Sequence, residues 1–599
     1  ELAAKKGEMS PRQAEAYRLL EMGDVDGACE ILPLDELFDD ISHNERLADN
    51  AIDRLETNVE ELATRITALN MKGLNKDIVA EIRRIYEKIY GLCDTRNIGW
   101  SKLYDYASFL EDQNDYTKAI KVAEKLNWYY SDPDNKVDEY DLGSLYNLLG
   151  MLYQAQNKPK KTEKYYLAAI EIGERLVEKN ADAYEPALAG SYNNAGNFYK
   201  DQGQSKKAEK YYLAAIEIGE RLVEKNADAY EPALADSYNN AGIFYDNQGK
   251  RDKAEKYYLA AIEIHERLVE KNADAYEPAL AMSYNNAGNF YDDQNQPEKA
   301  EKHLLDAIEI YERLAKKNAD AYEPDLAMSY NNAGIFYAVH GQSQKAEKIF
   351  LDAIEIYERL VEKNTDAYEP YLATSYNNAG NLYSNHGQPE KAEKYYLTAI
   401  EIYERLVEKN ANAYEPDLAA SYNNAGVFYK KQGQPDKAEK YYLDAIEIRE
   451  RLVEKNADAY EPDLAKSYYN ASIFYKDQGQ PEKAKKYFLA AMEIKERLVE
   501  KNIDTYGPDL ARSYSAAGVF YDNQGKPKKA EKYYLDAIEI YERLVKRNPD
   551  AYEPDLAMSY SSYYLLKEDE TYLDKAYEIA KRRQDDPRCR YIVEFVESH

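Results

Sequence analysis

A block of 46 residues recurs along most of this chain and limits what it can fold into. The marker Ala-Tyr-Glu-Pro begins at Ala183, Ala229, Ala275, Ala321, Ala367, Ala413, Ala459 and Ala551, with the variant Thr-Tyr-Gly-Pro at Thr505. The marker tyrosines, from Tyr184 to Tyr552, stand 46 residues apart throughout. A fixed period in this range is the signature of a stacked array, in which no unit buries its apolar face alone. Arrays of this kind present extended surfaces to other molecules. Positions held constant between copies serve the stack. Positions that vary are free to serve a partner.

One copy shows how a unit folds. Pro186 fixes φ and lacks an N–H, which predicts the first position of a helix. Leu188, Tyr192, Ala195, Gly196 and Tyr199 follow at spacings of three and four, one face of that helix. Gly203 stops it in the left-handed conformation, and Asn295 replaces this glycine in another copy, as the residue next best suited to positive φ. A second helix carries Ala208, Tyr212, Ala215, Ile216, Leu222 and Val223 on its apolar side, with Glu217 and Arg221 as an i,i+4 pair. Asn226 predicts its end.

These residues resemble the tetratricopeptide repeat. The match is Tyr192-x2-Ala195-Gly196-x2-Tyr199, then Ala208-x3-Tyr212-x2-Ala215. The usual unit has about 34 residues and closes on a proline; here Glu220 holds that place and the second helix continues to Asn226. The long helices and the Tyr-Asn-Asn-Ala-Gly segment look most like the arrays of kinesin light chains and their bacterial relatives. The resemblance implies an all-α, right-handed superhelix of paired helices, with the first helix of each pair on the concave side. It also implies that such an array can be the sensor or regulatory arm of a bacterial signalling or defence protein. The effector in that case, a TIR domain, a caspase-like protease or a nucleotide-switch ATPase, lies outside these residues.

Counting the small residue of the first helix gives the organisation. Gly196, Gly242, Gly288, Gly334, Gly380, Gly426, Ser472 and Gly518 mark near-identical copies, and Gly150 marks an earlier one. Ala107 with Ala119, and Tyr564 with Ala576, mark divergent units at the two ends. The array of about eleven units thus occupies residues 96–583, followed by a capping helix over 584–599. Residues 1–34 read as a degenerate hairpin through Ala16, Leu19, Gly23, Ala28 and Leu32. Residues 35–95 read as a long helical region, with one amphipathic stretch from Leu37 to Leu69 and a helix from Lys76 to Leu92. A chain that opens inside helical material reads as part of something longer.

The balance of 79 basic and 110 acidic residues, a net charge of −31, opposes binding to nucleic acid or to an anionic membrane through overall charge. No apolar run approaches the length of a spanning helix. Cys29, Cys93 and Cys589 are few, odd in number and far apart, which predicts reduced thiols and a cytoplasmic protein. No Gly-rich phosphate loop or metal-protease motif occurs, so no catalysis, cofactor or metal is expected. His43, His265, His303, His340, His386 and His599 scatter over different units and read as surface residues. Asp132, Asp134, Asp138 and Asp141 lack the glycine and spacing of a calcium loop and read as a solvated turn. Most of the 61 tyrosines fall on fixed repeat positions and read as core. The exception is a variable row, Gly173, Gly219, His265, Tyr311, Tyr357, Tyr403, Arg449, Lys495 and Tyr541, which predicts an exposed site on the second helix.

The candidate site is the inner wall, at positions equivalent to 190, 193, 197, 200 and 201. Asn193, Asn239, Asn285, Asn331, Asn377 and Asn423 form one row, which the resemblance to kinesin light chains assigns to the backbone of an extended peptide. The adjoining row, Asn194 to Asn470, reads as a tie between neighbouring helices. Charge is segregated. Early units offer Asp201, Asp236, Asp246, Asp292 and Asp293, and later ones Lys430, Lys431, Lys466, Lys476 and Arg512, beside Val427, Ile473 and Val519. The expected partner is therefore a protein or peptide, an acidic segment with aliphatic side chains. A segment of this chain or of a second copy could fill the same groove, so a homo-oligomer or a self-assembling structural protein stays open.

Overall fold

The computed structural model describes residues 10–46, 52–71, 76–113, 115–546, 548–584 and 586–598. Within them the fold is an all-α solenoid, helix against helix in chain order with no strand.

The 46-residue period has a simple anatomy. Helix Ala181–Asp201 and helix Ser205–Lys225 each contain 21 residues. A three-residue turn centred on Gly203, at φ 69°, joins them, and Asn295 adopts the same conformation at φ 55°. One residue, Asn226, separates the second helix from the next unit. Its N–H donates to the Leu222 carbonyl at 3.0 Å, and its Oδ1 accepts from the Ala229 N–H at 3.3 Å. It ends one helix and caps the next. The cap places the helix start five residues ahead of Pro186, which lies inside the helix. The asparagine cap and the packing of the helix against its neighbours together offset the hydrogen bond that the proline removes.

Each marker has a role in the stack. The buried carboxylate of Glu185 accepts from Arg221 Nη2 at 2.6 Å, clamping the two helices of a unit. The same pair recurs as Arg267–Glu231, Arg313–Glu277, Arg405–Glu369, Arg451–Glu415 and Arg497–Glu461. The predicted Glu217–Arg221 contact is the longer one, at 3.9 Å. Tyrosine rings fill the core and their hydroxyls reach the preceding unit: Tyr199 donates to Glu163 at 2.9 Å and Tyr192 to Glu174 at 2.7 Å. Glu220, in the place of the usual proline, accepts in the same way from Tyr238 at 2.8 Å. The departure from the repeat pattern is thus part of the link between units.

The variable row is not an exposed site. His265, Tyr311, Tyr357, Tyr403, Arg449 and Tyr541 are buried, because the row faces the first helix of the next unit. Lys495 donates to Ser513 of the next unit at 2.9 Å, while the tyrosines of the row also reach back to their own first helix, Tyr311 to the Pro278 carbonyl at 3.1 Å and Tyr403 to that of Pro370 at 3.1 Å. Its variation is a change of interface filler. His265 is also a correction to the surface reading of the histidines: its Nδ1 lies 2.8 Å from Ser283 Oγ, and burial lowers its pKa to about 4. His303 is half-buried between Tyr284 and Tyr291, and His340 meets Asp292 at 2.7 Å. His599 lies outside the described residues.

At the N-terminal end, helices Pro11–Glu21 and Val25–Ile31 pack through Ala16, Ala28 and Leu32. The stretch from Leu37 to Leu69 appears as helices Leu34–Arg46 and Ile52–Met71, with residues 47–51 outside the described residues. Asp138 caps helix Glu139–Ala155, and Asp132 accepts from the Asp134 N–H, so this acidic loop spends carboxylates on its own turns. Helix Pro587–Ser598 packs on the last pair.

The solenoid also closes on itself. Asn456 Nδ2 donates to Gln202 Oε1 at 2.7 Å, and Asn502 Nδ2 to Gln248 Oε1 at 3.0 Å, both pairs 254 residues apart. Asn157 donates to the Asn412 carbonyl at 2.7 Å. Successive turns of the superhelix therefore touch after 254 residues, about five and a half units.

The glycine of the first helix marks the closest approach within a unit. A Cβ on Gly334 would stand 2.5 Å from the Phe350 ring. Gly334→Leu is expected to cost about 1–3 kcal/mol by overpacking. Hydrogen exchange should show faster opening around residues 310–400 than at the ends of the array. Unchanged exchange there would count against this contact.

Candidate functional site

First helices of successive units approach one another directly, as Ala181–Asp201 and Ala227–Asn247 do, while second helices stand further apart. The array therefore curves with its first helices inside, and their free faces form the inner wall.

The asparagine row assigned to a peptide backbone is used within the stack. Asn239, Asn285, Asn331, Asn377 and Asn423 are buried, and Asn193 is partly buried. Asn193 Nδ2 donates to Ser237 Oγ, Asn239 to Ser283, Asn285 to Ser329, Asn331 to Ser375 and Asn377 to Ser421, at 2.5–2.8 Å. Each link joins the first helices of two consecutive units. The adjoining row contributes too: Asn194 donates to Asn147 at 3.3 Å, and Asn470 to Asn423 at 3.0 Å. Helical spacing alone does not separate a wall residue from one that points at the neighbouring helix, which is why the sequence placed this row one face too far inward.

The other wall positions are open to solvent. Asp236, Met282, Met328, Thr374, Ala420, Lys466 and Arg512 succeed one another at the position of Gly190, and all but Ala420 are exposed. At the position of Asn197, Val427 and Ile473 are half-buried, while Ile335 and Val519 are exposed. The wall thus has three zones. Early units are acidic, the middle is apolar through Met282, Met328, Ile335, Val339 and Tyr371, and late units are basic. Lys431, Lys466, Lys476 and Arg512 are exposed; Lys430 pairs with Asp477 at 2.6 Å and Arg512 with Asp509 at 2.5 Å. Lys431 donates to Asn385 Oδ1 at 3.0 Å.

Two cations of the basic zone were missed by sequence reasoning. Arg449 and Lys495, in the interface row, reach the serines that face the asparagine row. Arg449 donates to Ser467, and Lys495 to Ser513 at 2.9 Å. The Lys495 ammonium lies 4.9 Å over the Tyr469 ring. Burial lowers its pKa, with Asp509 opposing and Arg512 and Lys466 adding to the decrease. The signal was available, since this row turns basic in the same units as the wall.

Two family models, both described as the tetratricopeptide repeat, match the chain, one over residues 187–267, 233–313, 325–405, 417–497 and 463–543, more than half of it, and the other over residues 142–180. The chain belongs to the tetratricopeptide repeat family. No curated protein matches it in sequence comparison. Among solved structures, it is similar to BtubC (BKLC) from P. vanneervenii, with 23% identity over 41% of this chain and 92% of that one, at a TM-score of 0.35. It is also similar to a Rap protein complexed with competence and sporulation factor, with 16% identity over 67% of this chain and 98% of that one, at a TM-score of 0.41. Aspartyl phosphate phosphatase F from Bacillus subtilis shares 15% identity over 66% of this chain and 93% of that one, at a TM-score of 0.39. Tetratricopeptide arrays as a class are protein-interaction scaffolds. Among the described residues no helix is long and apolar enough to cross a membrane.

The acidic zone of this tetratricopeptide wall carries an electrostatic cost. Burial raises the half-buried Asp246 to about 6, with Asp293 adding to the rise and Arg251 opposing it. A carboxyl whose folded pKa lies above its ordinary 3.8 holds its proton more tightly in the fold. Folding is then penalised above about pH 6, and the penalty fades as pH falls toward the unfolded value. Asp246→Asn removes the charge. The variant is expected to be more stable than the parent above pH 6, with the gap closing as pH falls toward 4, read by denaturant unfolding. A gap that stays constant over this range would remove Asp246 from the account.

Proposed function

We propose that the protein is a scaffold that holds an extended acidic protein segment, with aliphatic side chains, against the inner wall near residues 420–520. The role is binding, not catalysis. One observation carries the reading: Lys431, Lys466, Lys476, Lys495 and Arg512 gather on the late units of a chain whose net charge is −31. The rest of the protein repels such a segment and the basic zone attracts it, so charge sets its location. Ile473 and Val519 supply apolar surface between the cations. The asparagine row is left out of the contact set, and Lys430 and Arg512 have smaller parts because Asp477 and Asp509 already pair with them.

The test is a double reversal, Lys431→Glu with Lys466→Glu, measured by fluorescence anisotropy on a labelled synthetic peptide of acidic and aliphatic residues. Exposed ion pairs contribute about 0.2–1 kcal/mol each. Replacing attraction by repulsion at two positions is therefore expected to weaken binding by about tenfold at low salt. The loss should shrink as salt screens the wall. Equal affinities of parent and variant at low salt would remove the basic zone as the site.

A further inference from the structure

One joint of the array differs from its neighbours, and its defects coincide. In the copies marked by Gly196, Gly242, Gly334, Gly380, Gly426 and Gly518, a Cβ on the glycine would stand 2.5–2.9 Å from an aromatic ring of the second helix. Those rings, Tyr212, Tyr258, Phe350, Tyr396, Tyr442 and Tyr534, are buried. The unit of helices Ala457–Asp477 and Pro481–Lys501 has Ser472 instead. The serine already carries the Cβ that the other copies exclude, and its Oγ donates back to the Tyr469 carbonyl at 2.7 Å. Phe488, the ring that belongs there, is only half-buried.

Two other fastenings are missing next to it. Tyr469 replaces the asparagine that would reach Ser513. The clamp Arg497–Glu461 of this unit is kept, but in the following unit, helices Ile503–Asn523 and Pro527–Val545, Gly507 replaces the clamping glutamate and Arg543 pairs with Glu539 on its own helix at 2.5 Å. The core that is continuous from Tyr166 to Ala484 gives way here to separate clusters. The space left is a cleft of about 100 Å³ lined by Tyr469, Ile473, Phe488 and Phe520, with Lys476 and Lys485 also in its lining.

We propose that this cleft receives one aliphatic side chain, a leucine or isoleucine, of the acidic segment. The inference rests on the groove reading above and adds an anchoring pocket to it. Volume favours an aliphatic chain, because a closed cavity that takes benzene measures about 150 Å³ and this cleft is smaller. Charge fixes the context. Lys476 and Lys485 beside the cleft, and Lys495 above Tyr469, attract carboxylates flanking the inserted residue. An apolar anchor within a ring of polar contacts is how small clefts of this kind contribute affinity.

The experiment compares two short fluorescein-labelled acidic peptides, one with a central leucine and one with glycine there, at low salt. The leucine peptide should bind the parent protein about tenfold tighter, from the apolar surface it buries. Ser472→Gly restores the residue of the other copies and lets Phe488 seat itself. It should bring the two affinities together without weakening the glycine peptide. Ala516→Phe, which fills the cleft from its rim, should do the same, and circular dichroism checks that both variants keep their helices. Equal binding of the two peptides to the parent would overturn the pocket and leave the groove reading intact. A leucine preference that survives both variants would place the anchor elsewhere and also overturn it. Failure of both peptides to bind the parent would overturn the groove reading and the pocket together.

Discussion

The array depends on a single residue between units. At Asn180, Asn226, Asn272 and their equivalents, an extended backbone carries one side chain that caps the following helix, while its N–H closes the preceding one. A one-residue connection has no slack. The angle between the second helix of one unit and the first helix of the next is therefore nearly the same at these joints, with φ between −157° and −147° across the capping asparagines from Asn180 to Asn502. Small constant rotations add up to a regular superhelix. A regular superhelix is what allows residues 254 apart in sequence to meet. A longer, variable loop at this point would have allowed the turns to drift.

On this frame the tyrosines do two jobs. Their rings fill the space between paired helices, and their hydroxyls reach glutamates of the preceding unit. Tyrosine brings the apolar body and the polar tip in one side chain. The chain thus remains a highly charged, acidic protein in which one buried glutamate in most of the near-identical units is held by an arginine and further glutamates accept from tyrosine hydroxyls. Buried carboxylates such as Glu185 and Glu231 are tolerated because each faces a guanidinium.

Much of the fold was legible in the sequence because the repeat provides its own comparison. The helix pairs, the Gly203 turn and the end at Asn226 follow from local rules, and those rules act within a few residues. What was misread lies between units. Pro186 suggested a helix start because proline prefers the first turn, but the asparagine cap six residues earlier decides the boundary. His265 and Arg449 looked exposed because they vary, yet a variable residue can be buried where each unit meets a slightly different neighbour. The asparagine row lay one helical step from the true wall, a rotation that periodicity does not resolve. The break at Ser472 was visible as a substitution, but its consequence for Phe488 needed the packing.

The contact between turns bears on how such an array can change its length. The residues that meet, Gln202 with Asn456 and Gln248 with Asn502, belong to rows repeated from copy to copy. A recombination event that inserts or deletes one whole copy exchanges the partners but keeps the chemistry of each meeting. It also rotates everything downstream by 46 of the 254 residues of a turn, just under a fifth of a revolution. Gene-level slippage between near-identical copies can thus re-aim the basic zone against the acidic one while leaving every joint intact. An array with these joints can be varied by the number of its units as well as by altering them.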